Sequence, residues 1–271
     1  MKETDVVKSN AKEKIREVAI LRHEIDAPFF QDEYGDGAKN NYSDEFLYGR
    51  YMINDEIDRL LETLPPGSKV LDVGSGTGHL ASYIKNKGFT VYGLEPSQNM
   101  LKFARSNFPD IDFREGISVE LPFDNDTFDL VISIEVLRYL HKDEVKESYK
   151  EILRVLKKDG VLFTTHVNKY ASDFYYFFYY LKKGVKKIQK ELYHNCYFTT
   201  PEKEVKILSK IGYEKSWAFG RMYGSIRIGY KFGKKAGKAW AKLLERFSKN
   251  QRSTSGISRD LAGHLFVLAQ K

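Results

Sequence analysis

The sequence predicts an α/β fold in which a mostly parallel sheet is covered by helices on both faces. Short apolar runs alternate with helical patterns from residue 69 to residue 167. The segment VLDVGSGTGHLA (70–81) joins the first apolar run to the first helical pattern through three alternate glycines. Strict alternation of this kind is typical of doubly wound sheets, which bind ligands at the carboxyl ends of their strands.

Each element is predicted from its own pattern. Residues 53–64 repeat apolar side chains at helical spacing, and the Pro-Pro-Gly at 65–67 ends that helix. The apolar runs predict strands at 69–73, 90–94, 111–113, 128–134 and 160–167. The segments between them predict helices at 78–87, 97–107 and 143–156.

Composition limits the number of domains and the cellular compartment that we expect. The chain has 271 residues, enough for one large domain or for one domain with a cap. Cys196 is the single cysteine, so no intrachain disulfide can form, and we expect a cytoplasmic protein. The first residues lack the apolar centre of a signal peptide, and the aromatic run at 174–181 is too short to span a bilayer.

Charge is unevenly distributed along the chain. Residues 182–252 carry 19 Lys/Arg and 5 Asp/Glu, a net charge of +14, while the remainder has a net charge of −7. This basic stretch is either a solvated face or an attraction for something anionic, such as a phosphate-bearing substrate, a lipid surface or RNA.

The alternate glycines Gly74, Gly76 and Gly78 predict a cofactor site. A tight strand-to-helix turn needs unusual φ angles, a close ligand leaves no room for Cβ atoms, and the helix amino terminus supplies N–H groups. The dinucleotide fingerprint would place its third glycine where His79 stands, and the chain has no P-loop motif. The spacing therefore favours a different nucleoside cofactor.

Two acidic residues indicate the chemistry of that cofactor. Glu95 ends the second predicted strand, where a carboxylate can accept hydrogen bonds from both ribose hydroxyls. Asp72 precedes the glycines, where it would repel a pyrophosphate but attract an ammonium or sulfonium charge. The sequence thus predicts a nucleoside with a cationic tail.

Four segments, taken in order, resemble the motifs of the class I S-adenosylmethionine-dependent methyltransferases. They are VLDVGSGTGHLA, VYGLEPSQNML, ELPFDNDTFDLVISIEVLRYL and EILRVLKKDGVLFTT. The resemblance covers residues 69–165 and is closest to the branch that modifies quinones, sugars and other small molecules. It implies S-adenosyl-L-methionine as the cofactor and S-adenosyl-L-homocysteine as the product.

The resemblance also implies a domain organisation. Residues 69–271 would form the methyltransferase domain, with a Rossmann-like seven-stranded sheet and inserts at about 167–200 and 220–262. Its last strands would form an antiparallel hairpin, for which we assign residues 212–219 and 263–270. Residues 1–68 would form an N-terminal helical cap.

The family's motifs assign the cofactor contacts by position. The glycine loop, Ser75 included, would border the methionine part of the cofactor, which Glu135 would face from the loop after the fourth strand. Asp72 would support the amino group, and Glu95 would hold the ribose.

The adenine and the cover of the site are assigned in the same way. Pro96 and Met100 would pack near the adenine, and its polar edge would lie at Ile117 and Ser118. The cap would help to cover the cofactor through Tyr42, Tyr48 and Arg50.

A general base is needed only if the methyl acceptor is a poorly acidic hydroxyl or a protonated amine. His166, at the end of the fifth predicted strand, is our candidate for that role, and the alternatives are Tyr139, His141 and the Tyr193–His194 pair. We interpret His264, in the last predicted strand, as a packed core histidine. The spacing of His, Cys and acidic residues predicts no metal site.

The insert at 167–200 joins an aromatic run to lysine pairs. On a helix, Phe174, Phe177, Phe178 and Leu181 would share one apolar stripe with the lysines at one end of it. This pattern suits an apolar acceptor pocket or a peripheral contact with an anionic membrane, unless the aromatic residues simply form the insert's own core.

The sequence therefore predicts in-line methyl transfer to a hydroxyl or amine of a small molecule, such as a sugar, a lipid-like or an aromatic metabolite, with anionic or lipid-like character. Two alternatives stay open: an RNA methyltransferase acting on ribose or cap, and a catalytically idle relative acting through a partner. DNA is not expected, because the segment after the fourth strand reads SIEVLRY rather than Asn/Asp-Pro-Pro-aromatic, and because Cys196 lies in the wrong region for cytosine chemistry. The oligomeric state is not indicated.

Overall fold

A computed structural model describes residues 3–34, 44–171, 175–188, 195–223, 229–248 and 262–271. The strands in these ranges are β1 (Lys69–Val73), β2 (Thr90–Glu95), β3 (Asp112–Glu115), β4 (Phe128–Ser133), β5 (Leu156–Asn168), β6 (Phe198–Thr199), β7 (Lys215–Tyr223) and β8 (Ala262–Gln270). The helices are α1 (Glu3–Tyr34), α2 (Asp44–Leu61), α3 (His79–Lys85), α4 (Gln98–Asn107), α5 (Lys142–Val155), α6 (Tyr175–Ile188), α7 (Pro201–Ile211) and α8 (Lys234–Ser248), with a 3-10 turn at Leu137–Tyr139.

The strands form one sheet in the order β3-β2-β1-β4-β5-β8-β7. Strands β1 to β5 pair in parallel, and β8 pairs antiparallel with both β5 and β7. The predicted parallel sheet with a final antiparallel pair is therefore confirmed. The number of strands differs from the expected seven, because the two residues of β6 pair with the end of β5 and make an eighth strand.

The central strands are buried because helices cover both faces of the sheet. In β1, Val70 packs into one apolar core and Leu71 into the other, as successive strand residues point to opposite faces. Strand β5 starts at Leu156, earlier than the predicted Gly160, because Leu156 already pairs with Phe128 across a register shift. Within the described ranges, no helix has both the length and the hydropathy needed to cross a bilayer.

Both chain inserts leave the sheet from one edge. Strands β1, β2, β4 and β5 end at their common carboxyl edge, and the antiparallel β8 begins there, with His264 opposite Val167. Strand β7 ends at the same edge, since Tyr223 pairs with Ala262. The segments after β5 and after β7 therefore start beside the carboxyl ends of the parallel strands.

Helix α1 packs across this edge against α4. The carboxylate of Glu24 accepts hydrogen bonds from the backbone N–H groups of Gln98 and Asn99, and the Asn99 side chain donates to the Glu24 carbonyl at 3.0 Å. The first amide groups of α4 are thus satisfied by a residue of α1. This contact holds α1 over the site described below.

Candidate active site

A cavity of about 590 Å³ opens at the carboxyl edge of the sheet. Its walls are the glycine loop after β1, the end of β2, residues 116–118, the turn after β4, the start of β8 and the inner faces of α1 and α2. This volume lies within the usual range for small-molecule sites, and the position is the one expected for a doubly wound sheet.

The three glycines after β1 all have backbone angles that favour glycine, and two of them also lack room for a side chain. All three have positive φ angles: +77° at Gly74, +53° at Gly76 and +86° at Gly78. A Cβ on Gly74 would lie 2.2 Å from a methyl carbon of Val136, and one on Gly78 would lie 2.8 Å from the Phe113 ring. Crowding at these two positions comes from the protein itself rather than from a ligand.

Gly76 is the glycine that faces open space. A Cβ there would meet no atom within 4 Å, and Gly76 lines the cavity. Gly78 does not line the cavity; it caps the amino end of α3. Gly78 thus has a packing and capping role in the structure, and its contact with a cofactor stays a prediction.

Glu95 joins the glycine loop to helix α4. Its carboxylate accepts the Gly76 N–H and the Ser97 N–H, both at 3.0 Å. Burial raises the pKa of Glu95 to about 7, despite these two donors. The side chain is fixed in the cavity wall as a carboxylate that lacks a cationic counterpart in the described ranges.

Asp72 is the second buried acid of this wall. Burial, and then the nearby charge of Glu95, raises the pKa of Asp72 to about 7. Among the described residues, one carboxylate oxygen of Asp72 and the hydroxyl of Ser75 find no hydrogen-bond partner. Buried polar atoms usually have partners, so this corner of the cavity fits a ligand that brings hydrogen-bond donors and positive charge.

The remaining predicted cofactor contacts lie together on one side of the cavity. The lining there includes Pro96, Met100, Ile117 and Ser118. The Ser118 hydroxyl is 2.8 Å from the Ser148 hydroxyl, which ties this loop to α5. Arg50 of α2 also lines the cavity, as does Tyr48. Tyr42 lies outside the described residues.

Glu135 lines the cavity from the turn after β4 and has a φ of +60°, which is uncommon for a residue with a side chain. Arg138, Thr165 and His264 all donate hydrogen bonds to its carboxylate. Burial opposes ionisation, but the charge of Arg138 and the hydrogen bonds from Arg138 and His264 outweigh it and hold the pKa of Glu135 well below its usual range. Glu135 is therefore an ionised anchor.

His264 differs from its predicted role as a core histidine. It lines the cavity, and its Nδ1 lies 3.1 Å from Oε1 of Glu135. Because an ionised carboxylate only accepts hydrogen bonds, Nδ1 carries a proton, and Nε2 is the ring nitrogen that can accept one. Antiparallel pairing of β8 with β5 brings His264 to the cavity edge, opposite Val167.

His166, our candidate base, lies outside the cavity lining and is fully buried. The hydroxyl of Tyr149 donates to Glu204 at 2.7 Å and lies 2.6 Å from Nε2 of His166, which therefore donates to it. Burial lowers the pKa of His166. These contacts link α5, β5 and α7, so the position of His166 suits a structural role.

Helix α1 contributes a histidine that no sequence motif indicated. His23 lines the cavity and donates from Nδ1 to the Ala19 carbonyl at 2.7 Å. Its ring packs edge-on against Tyr139, with centroids 5.1 Å apart, and burial lowers its pKa. The helical spacing of Arg16, Ile20 and His23 could have indicated this inner face.

The other candidate bases are placed differently. Tyr139 lines the cavity, whereas His141 is the N-cap of α5 and accepts the Asp143 N–H at 3.4 Å. Tyr193 and His194 lie outside the described residues. The described residues contain no group of three or more His, Cys, Asp or Glu side chains that could hold a metal ion.

Comparisons with known proteins bear on this site. Residues 71–164 match the family described as "Methyltransferase domain". The demethylmenaquinone methyltransferase of Renibacterium salmoninarum is 40% identical over 97 residues, which cover 36% of this chain and 40% of that protein. The enzyme of the same name from Chlorobaculum tepidum is 40% identical over 93 residues, covering 34% and 38%. The matches thus span about two fifths of these relatives' length.

Solved structures share the fold at lower identity. The Haemonchus contortus phosphoethanolamine N-methyltransferase 2 in complex with S-adenosyl-L-methionine has a TM-score of 0.57 at 20% identity, covering 82% of this chain and 52% of that one. An S-adenosylmethionine-dependent methyltransferase from Mesorhizobium loti has a TM-score of 0.54 at 19% identity, covering 79% and 96%.

Proposed function

We propose that the chain, of which residues 71–164 match a methyltransferase domain, is a class I enzyme that transfers a methyl group from S-adenosylmethionine to a hydroxyl or amine of a small molecule. The observation that carries this proposal is the pair of buried acids, Asp72 and Glu95, in the wall of one cavity. Two carboxylates with pKa values raised to about 7 favour a ligand with positive charge and donors.

The residues around the glycine loop suit the two ends of this cofactor. Asp72, with an oxygen that is unpartnered among the described residues, would receive the ammonium group of the methionine part. Glu95 would accept the ribose hydroxyls while its bonds to Gly76 and Ser97 fix its orientation. A dinucleotide suits this wall poorly, because its pyrophosphate would meet the charge of Asp72.

When bound, S-adenosylmethionine supplies a methyl group that is already activated by positive sulfur. The chain then has to hold the acceptor in line with that methyl group and exclude water. The strand order is β2-β1-β4-β5-β8, so the turn after β4 and the start of β8 line the side of the cavity away from Glu95 at the end of β2. This side is where we place the acceptor.

Acceptor deprotonation would fall to His264. Glu135 fixes the His264 ring with Nδ1 protonated, so the basic Nε2 is the atom that would take the acceptor's proton. The arrangement follows the general pattern in which a carboxylate orients a histidine base. Arg138 keeps Glu135 ionised and so supports the positive charge that His264 would gain.

Isothermal calorimetry tests the cofactor. Glu95→Ala should weaken S-adenosylmethionine binding roughly tenfold or more, because charge-assisted hydrogen bonds are lost. Glu115→Ala, which removes an exposed acid at the end of the adjacent strand β3, is the matched control and should bind normally. Unchanged affinity in Glu95→Ala, or tighter binding of NAD or ATP, would contradict the assignment.

The acceptor is found by incubating the protein with labelled S-adenosylmethionine and fractionated metabolites, and identifying labelled products by mass spectrometry. We expect label in small molecules and none in bulk RNA. Reproducible RNase-sensitive labelling would favour ribose or cap methylation instead. Cofactor binding without transfer to any fraction would favour an idle relative that acts through a partner.

A further inference from the structure

Helix α8 packs on the protein through small side chains and exposes large apolar ones. Gly237 and Ala241, one turn apart, are buried, and a Cβ on Gly237 would lie 2.2 Å from the Tyr230 ring. Trp240 is 42% exposed and Leu243 is 43% exposed, and their spacing of three places them on one face. A helix that served only to cover the fold would bury those large side chains instead.

Helix α6 also exposes large apolar side chains to solvent. Tyr179 is buried against Phe198, whereas Phe177, Phe178 and Leu181 are each at least half exposed. These three lie on one exposed face, as their spacing predicts; Phe174 lies outside the described residues. The aromatic run therefore supplies a small core through Tyr179 and leaves a second apolar face in water.

Basic residues accompany both apolar faces. Helix α6 contains four lysines and no acid, and α8 contains five Lys/Arg and one Glu. On α8, Lys234, Lys235, Lys238 and Lys242 are all exposed. At 100° per residue they lie within about 100° of one another, on the side of the helix roughly opposite Trp240 and Leu243. A basic face on one side with Trp and Leu on the other is the pattern of helices that lie in the interface of an anionic membrane.

Both helices are rooted at the edge of the sheet that holds the cavity. Helix α6 follows the end of β5, and α8 lies between the end of β7 and the start of β8. Val167, Gly263 and His264, at those strand ends, line the cavity. A surface that binds α6 and α8 would therefore lie close to the edge of the sheet where the cavity opens.

We propose that α6 and α8 dock the protein on the surface of an anionic lipid bilayer. The lysines would be attracted to the acidic headgroups, and the exposed Phe, Trp and Leu side chains would enter the boundary between headgroups and acyl chains. This inference concerns the surface and does not depend on the methyl transfer proposed above.

Charge distinguishes the bilayer from other occupants. A second copy of the chain would bring two basic helices against two more, which like-charge repulsion opposes. RNA would attract the lysines, but it would leave Leu181 and Leu243, which cannot stack on bases, in water. An anionic bilayer accommodates both the charge and the aliphatic side chains.

Sedimentation with vesicles tests the proposal on the full chain. The protein should bind vesicles of phosphatidylglycerol mixed with phosphatidylcholine, should bind pure phosphatidylcholine far less, and should be released by salt. Changing Lys234, Lys235, Lys238 and Lys242 together to Gln should weaken binding by roughly several hundredfold, since each lysine contributes on the order of fivefold. The matched control changes four exposed lysines elsewhere, Lys102, Lys150, Lys206 and Lys210, and should lose much less.

A second variant and a spectroscopic readout test the apolar faces. Phe177→Ser with Leu181→Ser should lower partitioning roughly tenfold or more while S-adenosylmethionine binding and far-UV circular dichroism stay unchanged. The chain has two tryptophans, so Trp217→Phe leaves Trp240 as the reporter, whose emission should shift to the blue and be quenched by brominated acyl chains. No vesicle binding by the wild type, equal loss in the control variant, or tighter binding to RNA would overturn the proposal. Self-association that the Phe177/Leu181 variant abolishes would overturn it as well.

Discussion

His264 and Glu135 form a hydrogen bond at the carboxyl edge of the sheet, where Nδ1 of the histidine lies 3.1 Å from Oε1 of the glutamate. The two residues are 129 positions apart in the chain and come together because β8 pairs antiparallel with β5, next to β4. Thr165 and Arg138 hold the same carboxylate from the other sides. The histidine is therefore held in one tautomer at the edge of a cavity, which is the arrangement a proton acceptor needs.

His264→Gln should lower kcat by about 10²–10⁴-fold, the usual contribution of a general base, with S-adenosylmethionine affinity nearly unchanged. The measurement is steady-state kinetics with the identified acceptor, together with calorimetry for the cofactor. His141→Asn is the control, because it keeps a good N-cap for α5 at a histidine outside the cavity. A variant at His264 that keeps full kcat would remove this residue from the reaction.

Cofactor binding should depend on pH through Asp72 and Glu95. Without ligand both carboxyls have a pKa of about 7, and a cationic ligand with donors favours their ionised forms. Binding below pH 7 should therefore release protons, and affinity should rise by up to about tenfold per pH unit for each carboxyl, levelling off above pH 8. Calorimetry in buffers of different ionisation enthalpy measures the released protons directly.

The same pKa shift predicts a cost in stability for the free protein. A carboxyl whose pKa is raised by folding destabilises the fold progressively as pH rises from about 4 through 7, because the folded state binds more protons there. Asp72→Asn should therefore raise the thermal stability of the ligand-free protein at pH 8 but not at pH 4, while weakening cofactor binding. Equal effects of this substitution at both pH values would contradict the buried charge.

The glycine loop allows a matched pair of substitutions. Gly78→Ala combines a φ of +86° with a clash at 2.8 Å against Phe113, so it should destabilise the fold by about 1–3 kcal/mol. Gly76→Ala meets no protein atom within 4 Å and should cost about 1 kcal/mol for its φ alone, but it should weaken cofactor binding more. Thermal melts and calorimetry on both variants separate packing from ligand contact.

Local patterns were enough to predict the sheet and the part of the cavity wall formed by the glycine loop and Glu95. Strand β1, the glycine loop and Glu95 lie within 30 residues of one another, so their apolar runs and turn residues indicate both the fold and its ligand. The helix predicted at 97–107 also follows from local signals, since the Ser97 hydroxyl accepts the Met100 N–H as the N-cap of α4.

The part of the cavity wall at His264 and His23 could not be predicted, because it depends on contacts between distant segments. His264 and His166 are both histidines in apolar strands, and only the register of β5 against β8 places one at the cavity and the other behind it. His23 reaches the cavity because α1 packs across the sheet edge, where Glu24 binds the amino end of α4 and Arg16 pairs with Glu144 of α5. The spacing of residues within a single segment predicts neither the strand register nor the docking of a helix.

Glu24 should therefore control how firmly α1 closes the cavity. Its carboxylate accepts the first two amide hydrogens of α4, at an end where the helix dipole also favours negative charge. Glu24→Ala should weaken this contact by about 1–2 kcal/mol, which corresponds to roughly 5–30-fold faster amide exchange where α1 opens as a unit. Hydrogen exchange over residues 12–31 is the measurement, and Glu17→Ala, an exposed acid on the same helix, is the control.

Because His23 immediately precedes Glu24 on α1 and lines the cavity, looser docking should also raise KM for the acceptor more than it lowers kcat. Exchange that rises equally in both variants would show that α1 is held by contacts other than Glu24.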